Sequence, residues 1–240
     1  MSENYLVGVV SDTHICSKSE RLDLLHSAYH IMKRAGITDV WHAGDIVDGN
    51  KVYKGQEFQL KRIGVDEQAD YCVANYPRAR GITTHFIAGN HDVSFWDREG
   101  IDVCRLISER RDDMDYLGQY YARIRLKGGC NVDLVHGRGG FSYAVSYPMQ
   151  RFVNELEGGS KPNILIMGHF HRTLYMVHRN IHNLLPGAFQ DQNDYTRRRG
   201  LQPNKGFWTL EFKVDSGVKE MEPRWYPYYN RHRGRRTYSK

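Results

Sequence analysis

The sequence predicts a layered α/β domain built on a mixed sheet, and two features carry this prediction. Short apolar runs rich in valine and isoleucine alternate with amphipathic segments in the first half, and apolar runs predominate in the second half. Several of these runs end abruptly in polar residues, as in THFIAGNHD at positions 84–92. The 240 residues are 40% hydrophobic and no Pro/Gly/Ser-rich linker divides them, which predicts one domain with a sizeable core.

The first half of the chain alternates between predicted strands and helices. Residues 4–12 form a valine-rich run that predicts a buried strand. In the segment that follows, apolar residues recur at spacings of three and four until Gly36, which predicts a helix that stops at the glycine. The next predicted elements are a strand at 38–45, a helix at 54–75, a strand at 84–90 and a helix at 103–111.

Strands predominate in the second half. Predicted strands cover 120–129, 131–137, 162–169, 173–189 and 206–214, and a glycine-capped helix covers 149–159. The polar segment 190–205 contains TRRRG and predicts an exposed loop. Residues 1–222 are assigned to one domain, and residues 223–240 to a C-terminal extension in which basic and aromatic side chains are interleaved.

The composition favours an anionic partner and a reducing compartment. The net charge is +6, and six Lys/Arg residues without an acid lie between Arg224 and Lys240. The four cysteines are far apart and form no CxxC pair, which is typical of free thiols. Because no leader-like N-terminus and no apolar run of ~20 residues is present, we expect a cytoplasmic protein without a membrane segment.

Five of the apolar runs end in residues that commonly bind metal ions. Because sites form at the carboxyl ends of strands in open α/β sheets, we expect these residues to meet. In an extended chain, Asp12 and His14 point the same way and could hold one ion together. His169 and His171 could do likewise, or could split between two ions if the chain turns after Gly168. The candidate ligands are Asp12, His14, Asp45, Asn90, His136, His169 and His171.

The chemistry of this set indicates two divalent ions. Nitrogen and oxygen ligands without cysteine suit manganese, iron, zinc or nickel, and we expect manganese. Seven ligands exceed the number that one tetrahedral ion takes, whereas two ions can share a bridging ligand. Two ions about 3.5–4 Å apart clamp the attacking and leaving oxygens of a phosphoryl transfer.

The motifs SDTH, AGDIVDG, AGNHD, VHG and GHFH occur in this order within residues 5–190 and resemble those of the calcineurin-like metallophosphoesterases. The resemblance implies a four-layer α-β-β-α sandwich with two central mixed sheets and a dimetal centre at their edge. It also implies that His91 is a catalytic residue that binds no metal, contacts the phosphate and aids departure of the leaving group. Carried over by position, the ligands of the first metal are Asp12, His14 and His171, those of the second are Asn90, His136 and His169, and the bridge is Asp45.

One departure from the phosphoprotein phosphatases of this family bears on the substrate. Their motifs read GDxVDRG and GNHE, whereas this chain has GDIVDGN and GNHD. The missing arginine removes a usual phosphate clamp, so protein dephosphorylation is disfavoured. Arg138, in the turn after His136, could bind the substrate phosphate instead, because a guanidinium matches two phosphate oxygens. The alternative is an exposed turn arginine without a role.

Four other polar residues lie in or near the motifs and are not among the candidate ligands. We expect His42 and His85 to be structural or to support a ligand. Asp48 either orients the loop after the second predicted strand or lies in a solvated turn. Asp92 is expected to hold a ligating histidine through a hydrogen bond.

The residues and the resemblance together predict a phosphoesterase. We expect it to hydrolyse phosphodiester bonds through a metal-bound hydroxide, as a nuclease that holds DNA or RNA with its C-terminal extension. The alternatives are a small-molecule phosphomonoesterase or nucleotide hydrolase and, in another class, a metal-bearing binding scaffold with little turnover. The intact His91 argues against the scaffold, which has no need of it.

Overall fold

The computed structural model describes residues 2–140 and 142–229. Its strands are β1 (Glu3–Val10), β2 (Asp39–His42), β3 (Thr83–Ala88), β4 (Met114–Gln119), β5 (Tyr121–Leu126), β6 (Cys130–His136), β7 (Ile164–Gly168), β8 (Thr173–His178), β9 (Ile181–Pro186), β10 (Gly206–Val214) and β11 (Val218–Pro227). Its α-helices are α1 (Leu22–Arg34), α2 (Val65–Asn75), α3 (Asn90–Glu99), α4 (Val103–Arg110), α5 (Tyr147–Glu155) and α6 (Asp194–Arg198).

These strands form two mixed sheets. The first has the strand order β11-β10-β1-β2-β3-β4, and the second has the order β5-β6-β7-β9-β8. In the first sheet β1 to β4 are parallel, and β10 and β11 are added antiparallel. In the second sheet β6, β7 and β9 are parallel, and β5 and β8 are the antiparallel edges. The predicted α/β fold class is confirmed.

Three apolar cores separate four layers, because alternate residues of a strand face opposite sides of its sheet. Val9 of β1 lies in the core between the two sheets, whereas Val10 joins the core that the first sheet shares with α1, α2 and α4. Ile166 of β7 lies in the same inter-sheet core, and Leu165 packs in the core that the second sheet shares with α5. The layers are therefore helix, sheet, sheet and helix.

Some elements differ from those predicted. Residues 54–75 divide into a 3₁₀ turn at Gln56–Gln59 and α2, because the extended backbone of Gly64 begins a new helix. The predicted strand 173–189 is the β8–β9 hairpin, and the chain reverses at Arg179 and Asn180, which both have positive φ. Helix α3 and strands β4 and β11 have no counterpart among the predicted elements.

The last strand crosses the boundary predicted between residues 222 and 223. Trp225 packs against Trp208 with ring centroids 5.3 Å apart, and Tyr226 stacks on Phe207 at 4.6 Å. These two aromatic side chains of the predicted extension thus pack on the first sheet, which makes them poor platforms for bases. Residues 230–240, which carry five of the six basic side chains of the extension, lie outside the described residues.

Two further expectations concern the whole chain. All four cysteines are buried free thiols, as predicted. Burial raises the pKa of the Cys130 thiol to about 11, which suppresses its reactivity at neutral pH. Among the helices in residues 2–140 and 142–229, none combines the length and the hydropathy needed to cross a membrane.

Candidate metal centre

The seven candidate ligands come together where the parallel strands of both sheets end. Two backbone hydrogen bonds, from Asp12 N to Gly44 O and from His14 N to Asp45 O, both 3.0 Å long, join the segments after β1 and β2. The amide of His169, after β7, donates to both carboxylate oxygens of Asp12 at 3.1 Å and so links the second sheet to the first. The carboxyl ends of strands from both sheets therefore contribute to a single site.

The three residues that the family resemblance assigns to the first metal lie close together. Asp12, His14 and His171 each offer one atom, and the three atoms lie within 4.8 Å of one another. Nε2 of His14 is 2.9 Å from Nε2 of His171, which in turn is 3.2 Å from Oδ1 of Asp12. Two imidazole nitrogens and a carboxylate oxygen therefore face one small volume.

A second group lies beside the first, and its aspartate lies between the two groups. Asp45, His136 and His169 also offer atoms within 4.8 Å of one another. Oδ1 of Asn90 lies 3.1 Å from His136 Nε2 and 2.8 Å from His169 Nδ1. Oδ2 of Asp45 lies 3.2 Å from His136 Nε2 and 3.7 Å from His14 Nε2, so this oxygen stands between the two groups.

The backbone at Asp12 and His14 differs from the extended conformation that the sequence predicts. Asp12 and His14 are not extended: their φ angles are 51° and 44°, in the left-handed region. Their side chains converge because the chain curls after β1. The alternation of side-chain directions along an extended strand is not the cause. His169 also has a positive φ, of 85°, and the turn sends it to Asn90 while His171 faces the first group. Such conformations cost about 1–2 kcal/mol per residue and are typical of functional sites.

Glycines before the ligands permit this crowding. A Cβ atom on Gly89 would overlap the Asp45 carboxylate and the His136 ring. A Cβ atom on Gly168 would overlap the carbonyl oxygen of Ala43 and the hydroxyl of Ser11. The glycines of AGNHD and GHFH therefore let the two sheets approach each other at the ligand cluster.

The hydrogen bonds of three histidines fit metal coordination. Nδ1 of His14 donates to Oδ1 of Asp48 at 2.9 Å, and Nδ1 of His136 donates to the carbonyl oxygen of Ala43 at 2.8 Å. Nε2 of His169 donates to the carbonyl oxygen of Gly139 at 2.9 Å. In each ring the other nitrogen faces the cluster with its lone pair, which is the arrangement of a metal-binding imidazole.

The electrostatics of the cluster also fit cations. Burial acts to raise the pKa values of Asp12 and Asp45, but the neighbouring imidazoles, His171 and His136 above all, lower both, that of Asp12 to about 2. In the part of the chain that the structure describes, neither carboxylate is paired with a lysine or arginine. Buried carboxylates need a compensating charge, and bound divalent ions would supply it.

His91 lies beside the cluster and makes contacts of its own. Its Nδ1 donates to the carbonyl oxygen of Asp48 at 2.6 Å, and Oδ1 of the same residue is 3.4 Å away. Burial alone would lower the pKa of His91, but the carboxylates of Asp45 and Asp48 raise it to about 10. His91 also offers an atom within 4.8 Å of ligand atoms of His14 and Asp45, so the ring borders the cluster.

Asp48 and Asp92 have different roles from those expected. Asp48 is fully buried and contacts both His14 and His91, so it lies in no solvated turn. Among the described residues, Asp92 contacts none of the candidate ligand histidines. Its carboxylate accepts the backbone N–H groups of Gly89, Ile46 and Val47 at 2.8–3.1 Å, because it lies in the first turn of α3 against the loop after β2. It therefore braces two ligand-bearing segments.

The two other histidines are structural, as expected. His42 is buried between the Thr13 hydroxyl and the backbone N–H of Gly44, and burial lowers its pKa to about 3. His85 lies away from the cluster and pairs with Asp39 and Asp115, each at 2.9 Å.

The cleft over the cluster has two cavities that share Asn90, Gly139 and His169. One, of about 550 Å³, is also lined by Tyr120 and the exposed Arg138. The other, of about 500 Å³, is lined by His14, His91 and His171 and by side chains of the segment 190–205. The segment 190–205 is not the exposed loop that was predicted. It contains α6, and several of its side chains are buried.

The residues that form the wall of the second cavity were not predicted from the sequence. Tyr53 and Tyr195 are part of it, and Gln56, buried beneath, donates to the carbonyl oxygen of Asp48 at 2.6 Å. No periodic pattern marks these residues. The one available signal is TRRRG, a cluster of arginines in a segment bounded by the ligand motif GHFH and the final strands.

Comparisons with known proteins agree with this architecture. The DNA polymerase II small subunit of Methanocaldococcus jannaschii is 25% identical over 251 aligned positions, which cover 85% of this chain and 41% of that subunit. A solved archaeal phosphodiesterase superposes with a TM-score of 0.51 at 14% identity, over 92% of this chain and 100% of that one, which shows a shared fold. The model of the calcineurin-like phosphoesterase superfamily domain matches residues 5–201. The chain belongs to the calcineurin-like phosphoesterase superfamily.

Proposed function

We propose that the protein hydrolyses phosphodiester bonds with the help of two divalent metal ions, and that its natural substrate is nucleic acid. The observation that carries the choice of a diester is the cleft, which extends from the ligand cluster into two cavities of about 550 and 500 Å³. A diester has a substituent on each side of its phosphorus atom, and a monoester has only one. A cleft with two cavities beside the ligand cluster therefore favours the diester.

The ligand sets follow the two groups of side chains. Asp12, His14 and His171 would hold one ion, and Asn90, His136 and His169 would hold the other. Asp45 would contact both, because one of its oxygens lies between the two groups. When bound, the ions would lower the pKa of water and stabilise negative charge on the phosphoryl group. Manganese suits this nitrogen and oxygen set, as do iron, zinc and nickel.

His91 would give a proton to the departing oxygen. The carbonyl oxygen of Asp48 holds its Nδ1–H at 2.6 Å, which orients the ring and leaves Nε2 without a hydrogen-bond partner among the described residues. The neighbouring carboxylates of Asp45 and Asp48 favour the protonated ring. Arg138, exposed on the rim of the first cavity, would bind an oxygen of the scissile phosphate or of its neighbour.

Three features support nucleic acid as the substrate. The net charge of +6 favours an anionic partner, and basic residues are concentrated in the predicted C-terminal extension, after β11. The similar archaeal protein is named as a subunit of a DNA polymerase. Tyr120, an exposed tyrosine that lines the first cavity, offers a ring on which a base can stack.

The test is a substrate panel with added manganese. Bis(p-nitrophenyl) phosphate, p-nitrophenyl phosphate, and labelled single-stranded DNA and RNA oligonucleotides are compared at equal concentration. We expect the diester to be hydrolysed faster than the monoester, and at least one oligonucleotide to be cleaved. The variant Asp45→Asn is the control for contaminating activity. Faster hydrolysis of the monoester would favour the phosphomonoesterase alternative, and no turnover of any substrate would favour the binding scaffold.

A further inference from the structure

A row of side chains in ring contact leads from the candidate catalytic histidine to an arginine at the cavity wall. The Tyr53 ring lies 6.4 Å from that of His91 and 4.6 Å from that of Tyr195, on which it is stacked at 27°. The guanidinium carbon of Arg199 lies 4.3 Å from the centre of the Tyr195 ring. All four side chains line the 500 Å³ cavity.

Hydrogen bonds fix the segment that carries Tyr195 and Arg199. Asn193 begins α6 by accepting the backbone N–H of Thr196 at 2.8 Å, and the Thr196 hydroxyl accepts the N–H of Asn193 at 2.9 Å. Both residues are almost fully buried. The Asn193 amide also donates to the Tyr53 hydroxyl at 3.4 Å, which joins the helix to the segment that carries Tyr53. The Tyr195 ring, on which Arg199 packs, is therefore held in a fixed position.

Within the described part of the chain, no carboxylate neutralises the charge of Arg199. Its neighbour Arg197 lies 3.9 Å from the Asp194 carboxylate, whereas Arg199 makes no ion pair with any carboxylate in residues 2–140 and 142–229. A guanidinium that stacks on a ring keeps its N–H donors free in its own plane. The cavity thus presents an oriented cation that is unpaired among the described residues and is separated from His91 in the row by two tyrosine rings.

The position of this cation selects among phosphodiesters. Because the rings of Tyr195 and Tyr53 stand between Arg199 and His91 in this row, Arg199 would meet a second anionic group of the same molecule when the scissile phosphate lies on the ligand cluster. A small diester such as a dinucleotide without terminal phosphates has no such group, whereas a strand has a phosphate on either side of each cleaved bond. We propose that Arg199, held on Tyr195, binds the phosphate adjacent to the scissile phosphate of a polynucleotide. This proposal rests on the proposed phosphodiesterase activity.

The test compares three thymidine dinucleotides: TpT, pTpT and TpTp, each with added manganese. For the wild-type protein we expect one of the two phosphorylated dinucleotides to be cleaved with a kcat/KM about tenfold above that of TpT, the effect of one charge-assisted hydrogen bond. Arg199→Ala should abolish this preference and leave TpT cleavage unchanged. Arg199→Lys should retain part of it. Arg197→Ala, which removes a neighbouring charge of the same helix, should retain all of it.

The outcomes separate the two proposals. If the preference persists in Arg199→Ala, or if the wild type cleaves all three dinucleotides equally, the role of Arg199 is wrong and the phosphodiesterase activity stands. If the wild type cleaves neither the dinucleotides nor bis(p-nitrophenyl) phosphate, the phosphodiesterase activity itself is wrong, and the role of Arg199 falls with it. Loss of TpT cleavage in Arg199→Ala would place the arginine at the scissile phosphate instead.

Discussion

The Asp48 carboxylate accepts a 2.9 Å hydrogen bond from Nδ1 of His14, and both side chains are almost completely excluded from solvent. This bond fixes the His14 ring so that Nε2 faces the cluster. The other carboxylate oxygen of Asp48 is buried without a hydrogen-bond partner among the described residues. Asp48 also contacts His91, so one carboxylate orients a candidate ligand and a candidate acid.

Asp48→Ala should weaken metal binding. Loss of a carboxylate that orients a ligating histidine typically lowers metal affinity by about 10–100-fold. Isothermal titration of metal-free protein with manganese measures this change. Asp66→Ala, at an exposed aspartate of α2, is the control for loss of an acidic side chain. An unchanged manganese affinity in Asp48→Ala would contradict the supporting role.

Asp45→Asn should remove the charge that both ions share. We expect the metal content to fall for both ions and turnover nearly to vanish, because one Asp45 oxygen lies between the two groups. Elemental analysis after dialysis gives the metal content, and diester hydrolysis gives the rate. Retention of two ions with a near-normal rate would show that Asp45 is not the bridge.

His91→Ala should slow turnover without loss of metal. The expected decrease is about 10²–10⁴-fold, the usual contribution of a general acid. The decrease should be smaller for nitrophenyl substrates, because a less basic leaving group needs less protonation. His91 also lies close to ligand atoms of His14 and Asp45, so metal content must be measured in the same variant. A variant that loses one ion would identify His91 as a ligand.

His85 should make stability depend on pH. The hydrogen bond to Asp39 is the main cause of its raised pKa, burial opposes it, and Asp115 adds to it. A raised folded-state pKa means that the stabilisation is fully present below the unfolded value of about 6.5 and is lost as pH rises through the folded value. In urea unfolding, His85→Gln should be less stable than the wild type by about 1 kcal/mol at pH 5.5, with a smaller difference at pH 8.5. His30→Gln, at an exposed position, controls for loss of a histidine, and a His85→Gln difference that grows with pH would contradict the assignment.

Deletion of residues 230–240 should affect only large substrates. The deletion removes five basic residues and spares β11, whose aromatics pack on the sheet. Hydrolysis of a chromogenic diester should be unchanged, and oligonucleotide binding should weaken. Its salt dependence should flatten by a slope of about 0.7–0.9 for each phosphate that the shortened protein no longer neutralises. Equal oligonucleotide binding by both proteins at every salt concentration would mean that these residues do not bind the strand.

The buried parallel strands were predictable because their signal is local. β1, β3 and β7 each contain a short apolar run at their carboxyl end, and a candidate ligand follows each run after a glycine or small residue. Helix α3 was missed because it begins at Asn90, within the ligand motif itself. The available sign was Asp92 at the third helical position, whose carboxylate accepts the N–H of Gly89.

The remainder of the site depends on contacts between distant segments, which periodicity does not encode. The roles of Asp48 and Gln56 arise because the loop after β2 folds over His14 and His91. The Tyr53–Tyr195 stack joins residues that are far apart in the chain. The left-handed backbone at Asp12 likewise follows from the packing of two sheets at one edge. The residue types at this position do not predict it.

The most direct test of the central claim is a manganese titration of chelator-stripped protein, followed by the rate of bis(p-nitrophenyl) phosphate hydrolysis at each addition. A centre in which two ions share Asp45 predicts that activity rises until two equivalents are bound and is absent in Asp45→Asn at the same manganese concentrations. Full activity at one equivalent, with no further gain at the second, would contradict a two-metal phosphodiesterase.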